Sequence, residues 1–459
     1  MSPLIHPLPP HLTPSAVAAA LQRQPGFVWL DSARAGGAYG RYSFIACNPF
    51  LTLLAKDEQI TLQGARNETL TGNPFDLLAD LMEQYRLPRE ATVPLAGGAL
   101  GYFAYDLGWR LETLPQTAQD DIAAPDLALG FYDLIYGYDH DTGRARVSST
   151  GQGGDAQQRL QEWLGWMQQP PLPREIGPAS DGRLERNFTK PEYLNALAAV
   201  KEYIAAGDIY QANLTQRFAT NLRVSPWELY QRLRNRNPAP FAAYLDLGGI
   251  QIASSSPERF LKLSDRLVET RPIKGTRPRG ATPEEDAALG QELLGSIKDN
   301  AELLMIVDLE RNDLGRACEV GSVRVPELAV LESYQTVHHL VATVLGELPA
   351  QDSVVDLLKA TFPGGSITGA PKIRSMEIID ELEPTRRSVY TGAIGYLGFD
   401  GDADLNIVIR TIICREGKAY FQVGGGIVAD SDPESEYQET LDKGRALARA
   451  LDISPETFV

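Results

Sequence analysis

The chain has 459 residues and a formal charge of −17, from 43 Lys+Arg against 60 Asp+Glu. That charge disfavours a duplex nucleic-acid binder, which needs a basic face for phosphates, and it disfavours docking on an anionic membrane surface. A hydrophobic share of 43%, with 41 Gly and 31 Pro, is that of a globular chain able to bury a large core. No run of about 18 apolar residues marks a membrane span.

The start, Met1 to Pro10, is Pro-rich without a basic region, so no signal peptide is expected. Short strands separated by turns follow, at 27–30, 42–47, 51–54 and 129–138. A helix is expected near 156–167. Beyond it lies QPPLPREIGPASDGR, whose prolines favour extended backbone. This divides the sequence into residues 1–168, a linker 169–183 and residues 184–459. Thr189 and Glu192 form a capping box with Pro191 in the first turn. Tyr193, Leu197, Val200 and Ile204 then share one helical face, and Gly207 ends it. Further helices are expected over about 298–309 and 432–451. Strands and helices mix without regular βαβ alternation, which favours an α+β fold. Cys47, Cys318 and Cys414 lie far apart with no C-x-x-C pair, so a reducing cytoplasm is the plain expectation.

Few motifs carry chemistry by spacing alone. Gly424–Gly425–Gly426 with Ala429 formally matches G-x-G-x-x-A, but Asp430 to Pro433 intervene before any helix, against a dinucleotide site. FPGGSITGAPK (362–372) resembles a phosphate loop without Gly-Lys-Ser/Thr. It could offer backbone N–H groups to an anion, and a tight strand-to-helix turn is the plainer account. Glu302 falls mid-helix, and Glu436 and Glu439 share a face of the last helix. Carboxylates on two helices would suit a hard cation such as Mg²⁺; a solvated acidic face, with Lys443 as the i+4 partner of Glu439, accounts for them as well. In RPIKGTRPRG (271–280), Lys274 lies among arginines. Neighbouring charge or burial would lower its pKa towards a neutral, nucleophilic amine; a basic anion-binding loop is the alternative.

The ordered series GDIYQANLTQRF (207–218), SSSPERF (254–260), RPIKGTRPRG, AELLMIVDLERNDLGR (301–316), YQTVHHL (334–340), FPGGSITGAPKIRSMEIID (362–380), VYTGAIGY (389–396), NIVIRT (406–411) and VGGGIVADSDPESEYQET (423–440) resembles the chorismate-utilising enzymes. GGALGYFAYDLGWRLE (97–112) extends the resemblance into the N-terminal third. It implies a single α+β body of two packed antiparallel β-sheets flanked by helices, in which N- and C-terminal regions interleave. Gln211 stands where the water-adding members carry a lysine, and an amide is no general base. Lys274 stands where the members that aminate chorismate at C2 have alanine. Together these imply amination at C4, on the way to para-aminobenzoate and folate. Amination at C2, or a non-catalytic chorismate- or tryptophan-binding regulatory subunit, is the alternative. Leu303 departs from the histidine of many relatives.

The same resemblance implies the roles. Glu258 is the general acid and Lys274 the nucleophile. Glu302 and Glu439, with Glu436, hold Mg²⁺. Tyr390, Arg410 and the backbone of Gly424, Gly425 and Gly426 hold the carboxylates. His339, Ser366, Thr276 and Gln211 line the substrate pocket. No nucleophile-elbow cysteine is present, so ammonia is expected from a separate glutamine amidotransferase subunit. The stretch LDSARAGGAYGRYSF, with Ser32, Arg41, Tyr42 and Ser43, corresponds to a region that can hold tryptophan in relatives; a β-hairpin accounts for it equally well.

Overall fold

The computed structural model describes residues 3–33, 39–89, 94–169, 173–333 and 337–458. Parts of three sequence-based expectations, at residues 34–38, 170–172 and 334–336, lie outside the described residues.

Two 12-stranded sheets, with antiparallel ladders throughout, stack face to face. In the first, the strand Val28–Asp31 runs beside Phe241–Leu247, with Trp29 opposite Tyr244. In the second, Gly98–Phe103 runs beside Ala393–Gly398, with Gly101 opposite Gly395. Strands from either side of residues 169–183 therefore pair within both sheets. Between the sheets lies an apolar layer that includes Val28, Phe44, Leu245 and Ile252 of the first and Leu100, Tyr102, Ala128 and Ile394 of the second. The outer face of the first sheet packs on helices through Val17, Trp163, Leu197, Leu233 and Leu447. The second packs on others through Leu78, Val307 and Leu358. The result is helix, sheet, sheet, helix, with three apolar seams.

Local sequence explains the helix boundaries. Lys190–Ala206 starts where the Thr189 N–H donates to Glu192 Oε2 at 2.7 Å, and it ends at Gly207, whose φ of +85° is the left-handed cap. Pro433–Ala450 starts under Asp432, which accepts the Ser435 N–H at 2.9 Å. The helix expected over 298–309 runs further, Ile297–Ala317.

One expected strand is two. Residues 129–138 divide at Asp133 into Leu127–Tyr132, in the second sheet, and Leu134–Asp139, in the first. Asp133 is fully buried, where it pairs with Arg159 and accepts the Gly153 N–H at 2.8 Å. Both halves are apolar on both faces, so alternation gave no sign of the crossing. The single carboxylate was the only mark, and it is satisfied by groups distant in sequence.

Candidate active site

A cavity of about 690 Å³ gathers side chains that the sequence scatters over half the chain. Lys274, Thr276 and His339 come from the second sheet, and Glu302 from the long helix. Ser366 comes from the turn Gly365–Ile367, and Glu436 and Glu439 from the last helix. Glu258, Tyr390, Arg410, Gly424 and Gly426 complete its walls.

The bend at Lys274 has a local cause. In the ladder between Ile273–Pro278 and Val337–Glu347 the register slips between Lys274 and Thr276. The extra residue is Gly275, at φ +73°, where a Cβ would stand 2.7 Å from Leu293 Cδ1 and 2.9 Å from Asp299 Oδ1. A glycine bulge re-aims the flanking side chains. Thr276 Oγ1 lies 2.9 Å from His339 Nδ1. Burial, then the charge of Lys443, holds the Lys274 ammonium below its ordinary pKa; Glu258, Glu302 and Glu439 work the other way.

Glu258 is buried, and burial pushes its carboxyl above the usual range. Lys274, the Ser366 hydroxyl, the Ile273 N–H and Arg410 oppose that shift without cancelling it. Its backbone is fixed by the Ile407 N–H, which donates to the Glu258 carbonyl at 3.0 Å. Arg410 has φ +51°, an uncommon conformation for a residue with a Cβ, and its carbonyl accepts the Ser255 N–H at 3.1 Å. Neither Arg410 nor Lys274 has a carboxylate within ion-pair distance among the described residues. Tyr390 is buried beside them, and burial raises its phenol pKa.

The carboxylates face the same space, each beside a lysine. Glu302 lies 3.8 Å from Lys298 Nζ. Glu439 Oε1 lies 2.7 Å from Lys443 Nζ, which also donates to the Gly424 carbonyl at 3.0 Å. Burial raises the Glu302 pKa. Burial also works against the charge of Glu439, but Lys443, Lys298 and Lys274 outweigh it and lower that pKa. Glu436 accepts from Ser431 Oγ at 2.7 Å. Among the described residues, no three metal-ligating side chains are already drawn into one cluster.

Three expectations are placed differently from their motifs. Gly424, Gly425 and Gly426, the formal G-x-G-x-x-A match, lie inside the strand Lys418–Ile427, paired with Thr215, Leu214 and Asn213. The partner strand on the other side reaches only Phe421, so the glycine edge is left to the cavity. Gly425 sits under the last helix, where a Cβ would be 3.4 Å from Glu436 Oε2. Gln211 does not line the cavity. It is buried behind Gly426, where a Cβ would meet its Nε2 at 2.7 Å, and that Nε2 has no hydrogen-bond partner among the described residues. The phosphate-like loop faces the protein's own carboxylates, since the Gly365 and Ser366 N–H groups lie beside Asp313 and Glu310 and lower their pKa values.

Lys298 and Asn213 also line the cavity. Lys443 and Lys298 are both four residues from an acidic partner, a spacing equally common on solvated helices. Nothing in the sequence singles out Asn213.

A second cavity, of about 450 Å³, is lined by Ser32, Arg41, Tyr42, Phe241, Arg259 and Asp404, among others. Ser43 does not line it; its Oγ accepts the Ser32 N–H at 3.1 Å and lies 2.8 Å from His140 Nε2.

Residues 26–449 match the model of a family described as chorismate binding enzyme. Aminodeoxychorismate synthase component 1 of Salmonella typhimurium is 43% identical over 437 residues, 95% of each chain. Anthranilate synthase component 1 of Pseudomonas aeruginosa is 38% identical, over 97% of this chain and 94% of that one. The crystal structure of anthranilate synthase component I from Streptococcus pneumoniae superposes with a TM-score of 0.81 at 32% identity, covering 90% of this chain and 94% of that chain. With a family match across nearly its whole length and this cavity at its centre, the chain belongs to the chorismate binding enzymes.

Proposed function

We propose that the chain replaces the C4 hydroxyl of chorismate by ammonia, giving 4-amino-4-deoxychorismate for para-aminobenzoate and folate synthesis. The observation that carries this reading is Lys274 and Arg410 with no carboxylate at ion-pair distance among the described residues, in one cavity with a carboxyl pushed above its usual pKa. A dianion with a poor leaving group needs that set: cations to receive its carboxylates, an acid to protonate the hydroxyl and an amine able to attack.

In this mechanism Arg410 and Tyr390 hold the enolpyruvyl carboxylate, the guanidinium offering a planar fork, with the open glycine edge beside them. Glu258, protonated, gives its proton to the C4 oxygen, which leaves as water. The Lys274 amine bonds to C2 as the C4–O bond breaks and the ring double bond shifts. Ammonia then bonds to C4, the ring double bonds return, Lys274 leaves as a neutral amine, and the new C4 ammonium gives up the proton that restores Glu258. Thr276, His339 and Ser366 border the ring. Gln211 supports Gly426 from behind.

The donor set fits a hard divalent cation. Glu302 and Glu439, with Glu436 beside them, present carboxylate oxygens from two helices to one open cavity and leave positions for water and substrate oxygens. Mg²⁺ held there would supply positive charge to the ring carboxylate. Lys298 and Lys443 balance these carboxylates in its absence.

Ammonia would come from a glutamine amidotransferase subunit, a reading supported by the "component 1" names of the relatives. No helix among the described residues is long and apolar enough to cross a membrane, and we place the reaction in the cytoplasm. The second cavity, with Ser32, Arg41 and Tyr42, is the candidate tryptophan site.

The relatives include anthranilate synthases, so C2 amination is the second reading, and Lys274 stands against it. Purified chain given chorismate, Mg²⁺ and ammonium, with products read by mass and fluorescence, decides between them. 4-Amino-4-deoxychorismate supports the proposal; anthranilate as the main product contradicts it.

A further inference from the structure

Behind the cavity wall lies a buried charged group that the mechanism above does not use. Glu310 and Asp313 lie on one face of the helix Ile297–Ala317, both buried. Lys372, at the start of the helix Lys372–Leu382, lies 2.7 Å from Asp313 Oδ2 and donates to the Thr361 carbonyl at 2.8 Å. Two carboxylates thus share one lysine out of water. Two negative charges against one positive is an expensive arrangement there, so the pair retains a proton. Asp313 holds the ion pair, which leaves the proton on Glu310. In agreement, burial, then the charge of Asp313, pushes the Glu310 pKa up to about 8.

What this group holds connects it to the reaction. The turn Gly365–Ile367 lies against it: a Cβ at Gly365 would stand 3.2 Å from Asp313 Oδ2, and the Ser366 N–H faces Glu310 and lowers its pKa. The opposite side of Ser366 faces the cavity that Glu258 also lines, and its hydroxyl favours the ionised form of Glu258. Ser366 therefore stands between two carboxyls, its backbone towards one and its side chain towards the other. The contact leaves little play, since a Cβ at Gly365 would stand 2.6 Å from Leu309 Cγ.

We propose that Glu310 is a positioning residue for the general acid: as a neutral carboxyl it seats the Ser366 turn, and through Ser366 it fixes the orientation and acidity of Glu258. The proposal rests on the assignment of Glu258 as the acid. It involves no net proton transfer, because the link to Glu310 is a backbone N–H. The charged and titratable groups facing Glu310 are Asp313 on its own helix, Lys372 on the helix Lys372–Leu382, and Glu258 across the turn; Thr270 Oγ1 lies 3.4 Å from its Oε2.

The test compares Glu310→Gln, which keeps an acceptor without a charge, with Glu310→Ala, which removes the acceptor. Glu310→Gln should keep kcat and KM within about twofold at pH 7, because the native group is already neutral there. Glu310→Ala should lower kcat about tenfold or more with KM little changed, as expected when an acid is misplaced rather than a binding group lost. It should also move the alkaline limb of the pH profile upward, because the Ser366 hydroxyl no longer favours ionised Glu258. In the double variant Glu310→Ala/Ser366→Ala, the Glu310 change should add little to Ser366→Ala alone.

Infrared spectra supply a readout that does not need turnover. At pH 7 the protonated-carboxyl band should lose the Glu310 component in Glu310→Gln, and in Glu310→Ala the Glu258 band should persist to higher pH. A Glu310→Gln variant as impaired as Glu310→Ala would overturn the neutral carboxyl. Glu310→Ala with unchanged kcat, pH limb and Glu258 band would overturn the positioning role. Failure of the wild-type chain to aminate chorismate would count against the proposed function, while the infrared comparison would still decide this inference.

Discussion

The two cavities differ in how their cations are partnered. In the smaller one the arginines are neutralised from within. Arg259 is buried against Asp404, at 2.9 Å through both Nε and Nη2, and against Glu269 at 2.6 Å. Arg41 meets Asp139 at 3.1 Å, and Arg89 meets Asp402 at 3.0 Å. In the larger one Lys274 and Arg410 line the cavity with no ion-pair partner among the described residues, and Glu302 and Glu439 stand beside Lys298 and Lys443. A buried cation already paired is part of the framework. One held in a strained backbone and left without a carboxylate is ready for a ligand's charge. The comparison locates the reaction without reference to cavity size, and each prediction below tries to reverse it.

The largest effect should come from Lys274→Ala, which removes the amine proposed to attack. C4 amination should fall by about three orders of magnitude or more, with residual product shifted to C2, as measured by product mass. Glu258→Gln should lower kcat by about 10²–10⁴-fold while leaving thermal unfolding unchanged. The sign of its pH effect is fixed. The Glu258 pKa is raised, so the proton-bearing acid is present below that pKa and lost as pH rises through it. The alkaline fall in rate should therefore be absent from the variant. Arg410→Lys should raise KM for chorismate by roughly 10–100-fold, because an ammonium cannot reproduce a bidentate fork.

The smaller cavity should answer in stability and not in turnover. Arg259→Met leaves Asp404 and Glu269 without their cation and should cost about 3 kcal/mol, read as a lower unfolding midpoint, with kcat unchanged. Asp400 borders the same cavity, and burial, then the charge of Asp402, pushes its carboxyl up to about 6. A carboxyl with a raised native pKa favours the folded state when protonated, and that stability is lost as pH rises from about 4 through 6. Asp400→Asn should thus stabilise the chain at pH 7.5 by about 1 kcal/mol, a figure discounted for partial exposure, and the gain should vanish near pH 4. A change in kcat from either variant would blur the distinction between the cavities.

Much of this arrangement was legible in the residues. The segments around Glu258, Lys274, Glu302, Tyr390, Arg410 and Glu439 name the groups that the fold brings into one cavity, and the resemblance they carry gave the two packed sheets. What was not legible depends on contacts distant in sequence. The crossing at Asp133 is marked by one carboxylate whose partner, Arg159, lies on a helix. Three consecutive glycines match G-x-G-x-x-A by spacing, but here they keep a strand thin enough for Gln211 and the helix Pro433–Ala450 to approach. FPGGSITGAPK looks like a loop awaiting an anion, and what it faces are the carboxyl groups of Glu310 and Asp313, supplied by a helix some fifty residues earlier. Local pattern identifies a donor, but not which acceptor the fold will deliver to it.

The central claim is that Lys274 acts as a covalent nucleophile in the cavity of unpaired cations. The most direct measurement is mass analysis of the rapidly quenched chain with chorismate and Mg²⁺, with ammonium withheld. The account predicts an adduct of chorismate less water on the peptide containing Lys274, absent from Glu258→Gln and discharged when ammonium is added. Full-rate C4 amination by the wild-type chain with Lys274 unmodified at every time point, and equal output from Lys274→Ala, would contradict it.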